Sequence, residues 1–166
     1  MILGMSTAAF TLLHVIISLI AIVAGAVVAL GMRRARRLPG WTALFLTMTI
    51  LTSVTGFFFH SKSFGPPHVV GVISLIILAV ALVALYGFHL AGAWRALYAV
   101  TALAAFYLNT FVLVAQLFAK VPALKALAPT GSEPPFAVAQ LLVLVAFVAL
   151  GILALRAFRP APPLAA

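Results

Sequence analysis

The chain contains no cysteine, and its only acidic side chain is Glu133. The absence of cysteine excludes disulfides, thiol catalysis, iron–sulfur clusters and cysteine-ligated zinc. Glu133 follows a Gly-Ser pair and precedes two prolines, so no carboxylate lies within an apolar segment. Hydrolytic chemistry therefore lacks an orienting acid, and a proton-coupled carrier lacks the buried Asp or Glu that such carriers usually need. The sequence favours a protein that is not an enzyme.

Charge of either sign is scarce: 7% of the 166 residues are charged, and 66% are hydrophobic. A water-soluble domain of this size needs a polar surface that this composition cannot supply. The net charge of +9 does not indicate nucleic-acid binding, because the basic residues lie at the ends of apolar segments. They form no basic face with interleaved aromatic residues. The expected partner is the lipid bilayer, and no nucleic acid is expected.

Most of the sequence consists of long apolar runs. A bilayer core about 30 Å thick needs about 20 apolar residues in a helix, and backbone groups inside lipid must be paired within the segment. The sequence therefore predicts an all-α transmembrane helix bundle in a single domain over residues 1–159, followed by a disordered tail over 160–166. Its five membrane-spanning helices are expected at about 8–32, 41–59, 69–91, 96–118 and 136–158.

Lysine and arginine are unequally divided between the loops of this bundle, and the bias predicts its orientation. With the N-terminus outside and the C-terminus inside, the inner loops hold Arg33, Arg34, Arg36, Arg37, Arg95, Arg156 and Arg159. The outer loops then hold Lys62, Lys120 and Lys125. Both tryptophans, Trp41 and Trp94, would lie at the inner interface, where aromatic residues are enriched.

Six polar residues from four helices are expected at a similar depth in the outer half of the bilayer, and we call them the polar cluster. They are His14, Ser18, Ser53, Asn109, Gln116 and Gln140. Such residues commonly form hydrogen bonds between membrane helices. Buried polar groups in lipid also mark binding sites, so the same residues could line an outward-facing pocket. The sequence leaves both interpretations open.

Histidines provide the only candidates for a metal or haem ligand. The weak candidates His14, His60 and His68 lie on the outer side, whereas His89 lies on the inner side. Their spacing matches no metal-binding motif, and histidines at helix ends are usually solvated, so no cofactor is expected. A haem- or metal-binding redox protein that uses His14 is the alternative.

The segment between Tyr107 and Gln140 joins two apolar helices through a loop punctuated by prolines. Residues 120–127 are either a short interfacial helix beside the mouth of a pocket or a simple linker. Glu133 is expected to cap the last helix or to pair with Lys120 or Lys125.

Four stretches carry a resemblance to a known family: TSVTGFFF at Thr52–Phe59, HLAGAWRALY at His89–Tyr98, YLNTFVLVAQ at Tyr107–Gln116 and PALKALAPTGSEPPF at Pro122–Phe136. Over most of its length the chain resembles a family of small uncharacterised multi-pass bacterial plasma-membrane proteins. The resemblance implies a five-helix body in the bacterial plasma (inner) membrane, and it implies no activity. A proline often stands at the position of His60 in that family, which weakens His60 as a ligand.

The functional expectation is a non-enzymatic integral membrane protein. The polar cluster would bind a small apolar or amphipathic molecule, such as a lipid or a quinone-like compound. Otherwise the protein would support a larger membrane complex, as an accessory subunit or a homo-oligomer.

Overall fold

The computed structural model describes residues 1–59 and 65–158, and its regular structure is helical throughout. The helices are α1 (Thr7–Arg33), α2 (Pro39–Gly56), α3 (Pro66–Leu82), α4 (Trp94–Lys120), α5 (Pro122–Leu127) and α6 (Pro134–Ala157). A π-helical segment, Val83–Gly87, continues α3. The all-α class is therefore confirmed. The predictions for His60, Lys62, Arg159 and the tail at 160–166 lie outside the described residues.

Within residues 1–59 and 65–158, four helical stretches are long and apolar enough to cross a membrane: α1, α3 with its π-helical extension (Pro66–Gly87), α4 and α6. A multi-pass membrane protein is expected to have such helices. The predicted segment 41–59 is largely helical as α2, but α2 is not one of the four. Five threonines and one serine among its 18 residues lower its hydropathy.

Proline marks the start of four helices rather than the end of the preceding loop. Pro39, Pro66, Pro122 and Pro134 are the first residues of α2, α3, α5 and α6. The first turn of a helix has no acceptor for its backbone N–H groups, so proline loses nothing there and its φ suits the helix. The sequence-based boundaries place these prolines in loops, and they therefore begin α2, α3 and α6 two or three residues late.

Helix α4 is the centre of the bundle and packs against α1, α2, α3 and α6, while α1 and α2 form an antiparallel pair. Small residues allow this close approach. At Gly25 of α1, an added Cβ would lie 2.8 Å from Cδ2 of Phe106 and 3.1 Å from Cε2 of Phe45. The aromatic rings of α4 and α2 therefore occupy the space that a side chain at position 25 would need.

The outward faces of the helices are apolar. In α6 only Gln140 and Ala154 are buried, and Leu142 and Val145 are 65% and 57% exposed. A continuous apolar surface of this kind is unstable in water but well solvated by lipid chains.

The bundle has two chemically different ends, which we name by their basic residues. The lysine end contains the start of α1, the end of α2, the start of α3, the end of α4 and the start of α6. The arginine end contains the end of α1, the start of α2, the π-helical segment, the start of α4 and the end of α6. The described arginines all lie at the arginine end, and Lys120 and Lys125 lie at the lysine end.

Candidate functional site

His14 connects α1 to α2. Its Nδ1 lies 2.7 Å from Oγ1 of Thr55, and its ring meets the ring of Phe59 edge to face at 5.1 Å. The Thr55 hydroxyl also lies 2.6 Å from the carbonyl of Leu51, and when it donates there, Nδ1 of His14 is the donor to Thr55. This tautomer leaves Nε2 as an acceptor.

The two serines of the polar cluster differ in what they join. The Ser18 hydroxyl donates to the carbonyl of His14 at 2.7 Å, within its own helix. The Ser53 hydroxyl lies 3.0 Å from the carbonyl of Thr49 and 3.1 Å from Oγ of Ser74 in α3. Only Ser53 therefore links two helices.

Two of the three amides of the cluster also link helices. Asn109 donates from Nδ2 to Oγ1 of Thr49 at 3.3 Å, which joins α4 to α2. Gln140 donates from Nε2 to the backbone carbonyl of Phe111 at 3.0 Å, which joins α6 to α4. Gln116 is exposed and has no hydrogen-bond partner in the described part of the chain.

These bonds are distributed over separate helix pairs: α1 with α2, α2 with α3, α2 with α4, and α4 with α6. Ser53 and Asn109 both bond to Thr49, but none of the six residues lines either of two cavities at the ends of the described bundle. This geometry favours interhelical hydrogen bonding over a shared pocket.

The histidine candidates are not assembled into a metal centre within residues 1–59 and 65–158, where no group of three or more His, Asp or Glu side chains could hold an ion. Nδ1 of His68 accepts the backbone N–H of Gly65 at 3.2 Å, at the start of α3. His60 lies outside the described residues.

A cavity of about 390 Å³ lies at the lysine end, between α4, α5 and α6. Its walls include Phe118, Lys125, Phe136 and the loop from Ala128 to Gly131. Of the two alternatives for residues 120–127, a short helix or a simple linker, the structure has the helix, α5, and it borders this cavity rather than a pocket made by the polar cluster.

Glu133 stabilises the loop of this cavity. It stands at the N-cap position of α6, but its carboxylate accepts the N–H of Thr130 at 3.0 Å, the Thr130 hydroxyl at 2.9 Å and the N–H of Ser132 at 3.1 Å. The Thr130 N–H, followed by the other donors, lowers the pKa of Glu133 to about 2. The expected ion pair with Lys120 or Lys125 is absent among the described residues.

A second cavity, of about 180 Å³, lies at the arginine end, and we call it the arginine-end cavity. The side chains of Arg36, Arg37 and Tyr86 are exposed members of its lining, and Thr42 and Tyr98 add hydroxyl groups. Its apolar wall is formed by Val28, Met32, Leu38, Pro39, Leu85, Leu90 and Phe158. It combines an apolar interior with a basic rim.

Irregular backbone builds this cavity. In the π-helical segment, the N–H of Phe88 bonds to the carbonyl of Val83 at 3.0 Å, and the following turn takes Leu90 to a φ of 61°. Ala35, next to the arginines of the rim, has a φ of 52°. Left-handed conformations cost a residue other than glycine about 1–2 kcal/mol, and they persist only where the surrounding structure imposes them. π-helical turns also concentrate at functional sites.

The arginine-rich loop is folded back onto α1. The N–H of Arg36 donates to the carbonyl of Gly31 at 2.9 Å. A Cβ at Gly31 would lie 2.8 Å from Cδ1 of Leu38, so the Leu38 side chain packs directly against this glycine. These contacts hold the backbone of the loop against α1, and Arg36 and Arg37 of this loop line the cavity.

Arg95 adds a further guanidinium beside the cavity. Its Cζ lies 5.3 Å from the ring centroid of Phe158, which belongs to the cavity wall. Its Nε is buried and has no hydrogen-bond partner among the described residues. The sequence alone does not reveal this site, because its arginines are equally explained as residues that orient the bundle in the membrane.

No protein-family model, curated protein or solved structure matches the chain. The function is therefore argued from the chain's own geometry.

Proposed function

We propose that this chain is a non-enzymatic protein of a bacterial plasma (inner) membrane that binds a small amphipathic molecule in the arginine-end cavity. The observation that carries the proposal is the lining of this cavity, which combines apolar side chains with two exposed arginines, Arg36 and Arg37. Binding sites are typically apolar, with a few polar groups that fix the ligand's orientation.

The proposed topology has five passes, with the N-terminus outside and the arginine end inside. Helix α2 would be the fifth span: its 18 residues correspond to about 27 Å, close to the thickness of the bilayer core. Its hydroxyl groups are tolerated because several bond to carbonyls of their own helix, as Thr49 does to Phe45 at 2.7 Å. The excess of arginine at one end supports the orientation.

In this proposal the polar cluster stabilises the bundle and does not bind the ligand. Each of its interhelical bonds joins a different pair of helices, and such bonds contribute on average about 0.6 kcal/mol in membrane proteins. The sequence suggests a ligand-binding role for these residues, and we assign that role to the arginine-end cavity instead.

The size of the cavity favours a lipid over a compact quinone-like ring. Pockets that enclose a drug-sized molecule measure about 300–1,000 Å³, and this cavity measures about 180 Å³. A ligand of drug size or larger must therefore keep most of its atoms outside the cavity. A lipid can do so, because its chains can continue along the apolar helix surfaces.

The alternative that a haem or metal is held by His14 has less support, because no described histidine lines either cavity. An absorption spectrum of the purified protein tests for haem, which shows a Soret band, and elemental analysis of the same sample tests for a bound metal.

Filling the arginine-end cavity tests the proposal. Val28 is 5% exposed and lines the cavity, whereas Val23, on the same helix, is 58% exposed and does not. We expect protein purified in mild detergent to retain lipid in native mass spectrometry. Val28→Phe should abolish most of this retention, and the matched control Val23→Phe should not change it.

A second variant guards against misfolding. Leu85→Trp fills the cavity from the π-helical segment, and thermal melts report whether each variant is folded. Undiminished lipid retention by both folded variants would refute the proposed ligand site.

A further inference from the structure

The positive charge at the arginine end is matched by no acidic side chain there. Glu133 is the only acidic side chain, and it stands at the start of α6. Phe158, beside the arginine-end cavity, follows the end of that helix. Across 24 residues the helix separates the two by about 36 Å, several times the screening distance at physiological salt. The Glu133 carboxylate is also occupied by donors from its own loop.

We infer that the arginine-end cavity binds the phosphate group of an anionic phospholipid. Arg36 and Arg37 would hold the phosphate at the mouth, and the apolar wall would hold the beginning of the acyl chains. This inference rests on the proposed function and adds the chemical class of the ligand's head group.

Arginine is the side chain best suited to this task. Its planar guanidinium presents several N–H donors in a fixed fork, which matches two oxygens of a phosphate. The guanidiniums of Arg36 and Arg37 form no ion pair with any residue in 1–59 or 65–158. Within those residues their N–H donors have no anionic partner.

The backbone holds these two arginines in place before any ligand binds. The bond from the Arg36 N–H to Gly31 and the packing of Leu38 against Gly31 fold the loop over the cavity. A preorganised loop loses little conformational entropy on binding, which strengthens the complex.

Arg95 provides an independent sign that an acceptor belongs nearby. Its Nε is buried without a partner in the described structure, and an unpaired buried donor is costly. The position of its guanidinium over Phe158 places it next to the cavity wall. An anion at the mouth would offset this local concentration of positive charge.

A lipid is favoured over a soluble phosphate compound because of the cavity's position and walls. The cavity lies at the ends of helices whose outer faces are apolar, and most of its lining is apolar. A soluble anion would leave those apolar walls in contact with water. Basic pockets between membrane helices are suited to anionic lipid head groups for this reason.

The test compares two pairs of arginines in the same loop. Arg36 and Arg37 line the cavity, whereas Arg33 and Arg34 are exposed and do not. The double variants R36Q/R37Q and R33Q/R34Q each remove two positive charges, so they differ in position but not in net charge. The full-length protein is delipidated in nonionic detergent and titrated with dioleoylphosphatidylglycerol, dioleoylphosphatidylcholine or inorganic phosphate, and binding is followed by native mass spectrometry and thermal melts.

We expect the wild-type protein to prefer phosphatidylglycerol over phosphatidylcholine. R36Q/R37Q should weaken phosphatidylglycerol binding by about tenfold or more, since a hydrogen bond to a charged group is worth at least one such factor. R33Q/R34Q should bind like the wild type. Inorganic phosphate should neither bind in the same range nor displace the lipid.

Three results would overturn the inference. They are equal affinity for the two lipids, equal losses in both double variants, and displacement of phosphatidylglycerol by inorganic phosphate at comparable concentration. Binding of both lipids without preference would leave the proposed function intact, whereas binding of neither lipid would refute the proposed function itself.

Discussion

At the scale of single residues, Asn109 and Gln116 show how similar side chains on one helix acquire different roles. The two lie seven positions apart on α4 and so share a face. Asn109 meets Thr49 of α2 at 3.3 Å, whereas Gln116, nearer the end of the helix, is exposed. The hydrogen bond, and not the amide itself, is what should contribute to stability.

Asn109→Leu is therefore expected to destabilise the protein, and Gln116→Leu is its matched control. Loss of the interhelical bond should lower the free energy of unfolding by about 1 kcal/mol, within the range for such bonds in membrane proteins. Gln116→Leu removes an exposed amide and should leave it unchanged. Reversible unfolding in mixed detergent micelles measures both. Equal effects of the two substitutions would show that the hydrogen bond of Asn109 does not contribute to the free energy of unfolding.

Glu133 leads to a prediction about pH. Donation by Thr130 and Ser132 lowers the pKa of Glu133 from 4.5 to about 2 in the folded loop. A lowered pKa means that the carboxylate stabilises the loop fully above pH 4.5, and that this contribution is lost as the pH falls towards 2. The loop is therefore expected to lose structure as the pH is lowered.

Carbon NMR of the Glu133 carboxyl group measures this directly, because no other acidic side chain is present. We expect a midpoint near pH 2 in the wild type. Thr130→Val removes the hydroxyl donor but keeps the backbone N–H, so its midpoint should lie between the two values. A wild-type midpoint near 4.5 would mean that the loop bonds do not form in solution.

At the scale of helices, close packing in this bundle depends on where small residues lie, not on how many there are. Gly25 faces Phe45 and Phe106, while an added Cβ at Gly151 of α6 would meet nothing within 4 Å. Both glycines are in apolar helices of similar composition. Only the first should resist substitution.

Gly25→Ala should lower the free energy of unfolding by about 1–3 kcal/mol, because the new methyl group overlaps an aromatic ring that cannot move without repacking. Gly151→Ala should be neutral or slightly stabilising, since alanine favours helix by about 1 kcal/mol over glycine. Thermal melts of the two variants in the same detergent provide the comparison. A Gly25→Ala protein as stable as the wild type would contradict the packing of α1 against α4.

The sequence predicts α1, α4 and α6 well because their long apolar runs alone indicate membrane-spanning helices. It is less accurate at the starts of helices, because a proline such as Pro66 is read as a break although it suits a first turn. Spacing reveals that Asn109 and Gln116 share a face but not which neighbouring helix reaches each of them. No periodic pattern in the sequence predicts the arginine-end cavity, because the cavity depends on the π-helical segment and on the packing of Leu38 against Gly31.

At the scale of the whole molecule, the absence of cysteine allows topology to be measured with single introduced thiols. Gly40 lies in the first turn of α2, next to the arginine-rich connection, where an added Cβ meets nothing within 4 Å, and Ser132 is exposed at the lysine end. In intact cells, an impermeant maleimide should label Ser132→Cys and not Gly40→Cys. After the membrane is permeabilised, both should react. Labelling of Gly40→Cys in intact cells would reverse the proposed orientation.

The central proposal is that a lipid occupies the arginine-end cavity, and photocrosslinking is its most direct test. Phosphatidylglycerol carrying a diazirine near its head group is added to the protein in nanodiscs, irradiated, and the adducts are mapped by mass spectrometry. We expect adducts on cavity residues such as Met32 and Leu85, and excess unlabelled phosphatidylglycerol should suppress them. Adducts on the exposed face of α6, at Leu142 for example, should decrease only in proportion to dilution of the probe. Uniform labelling with no competition at the cavity would contradict a lipid site there.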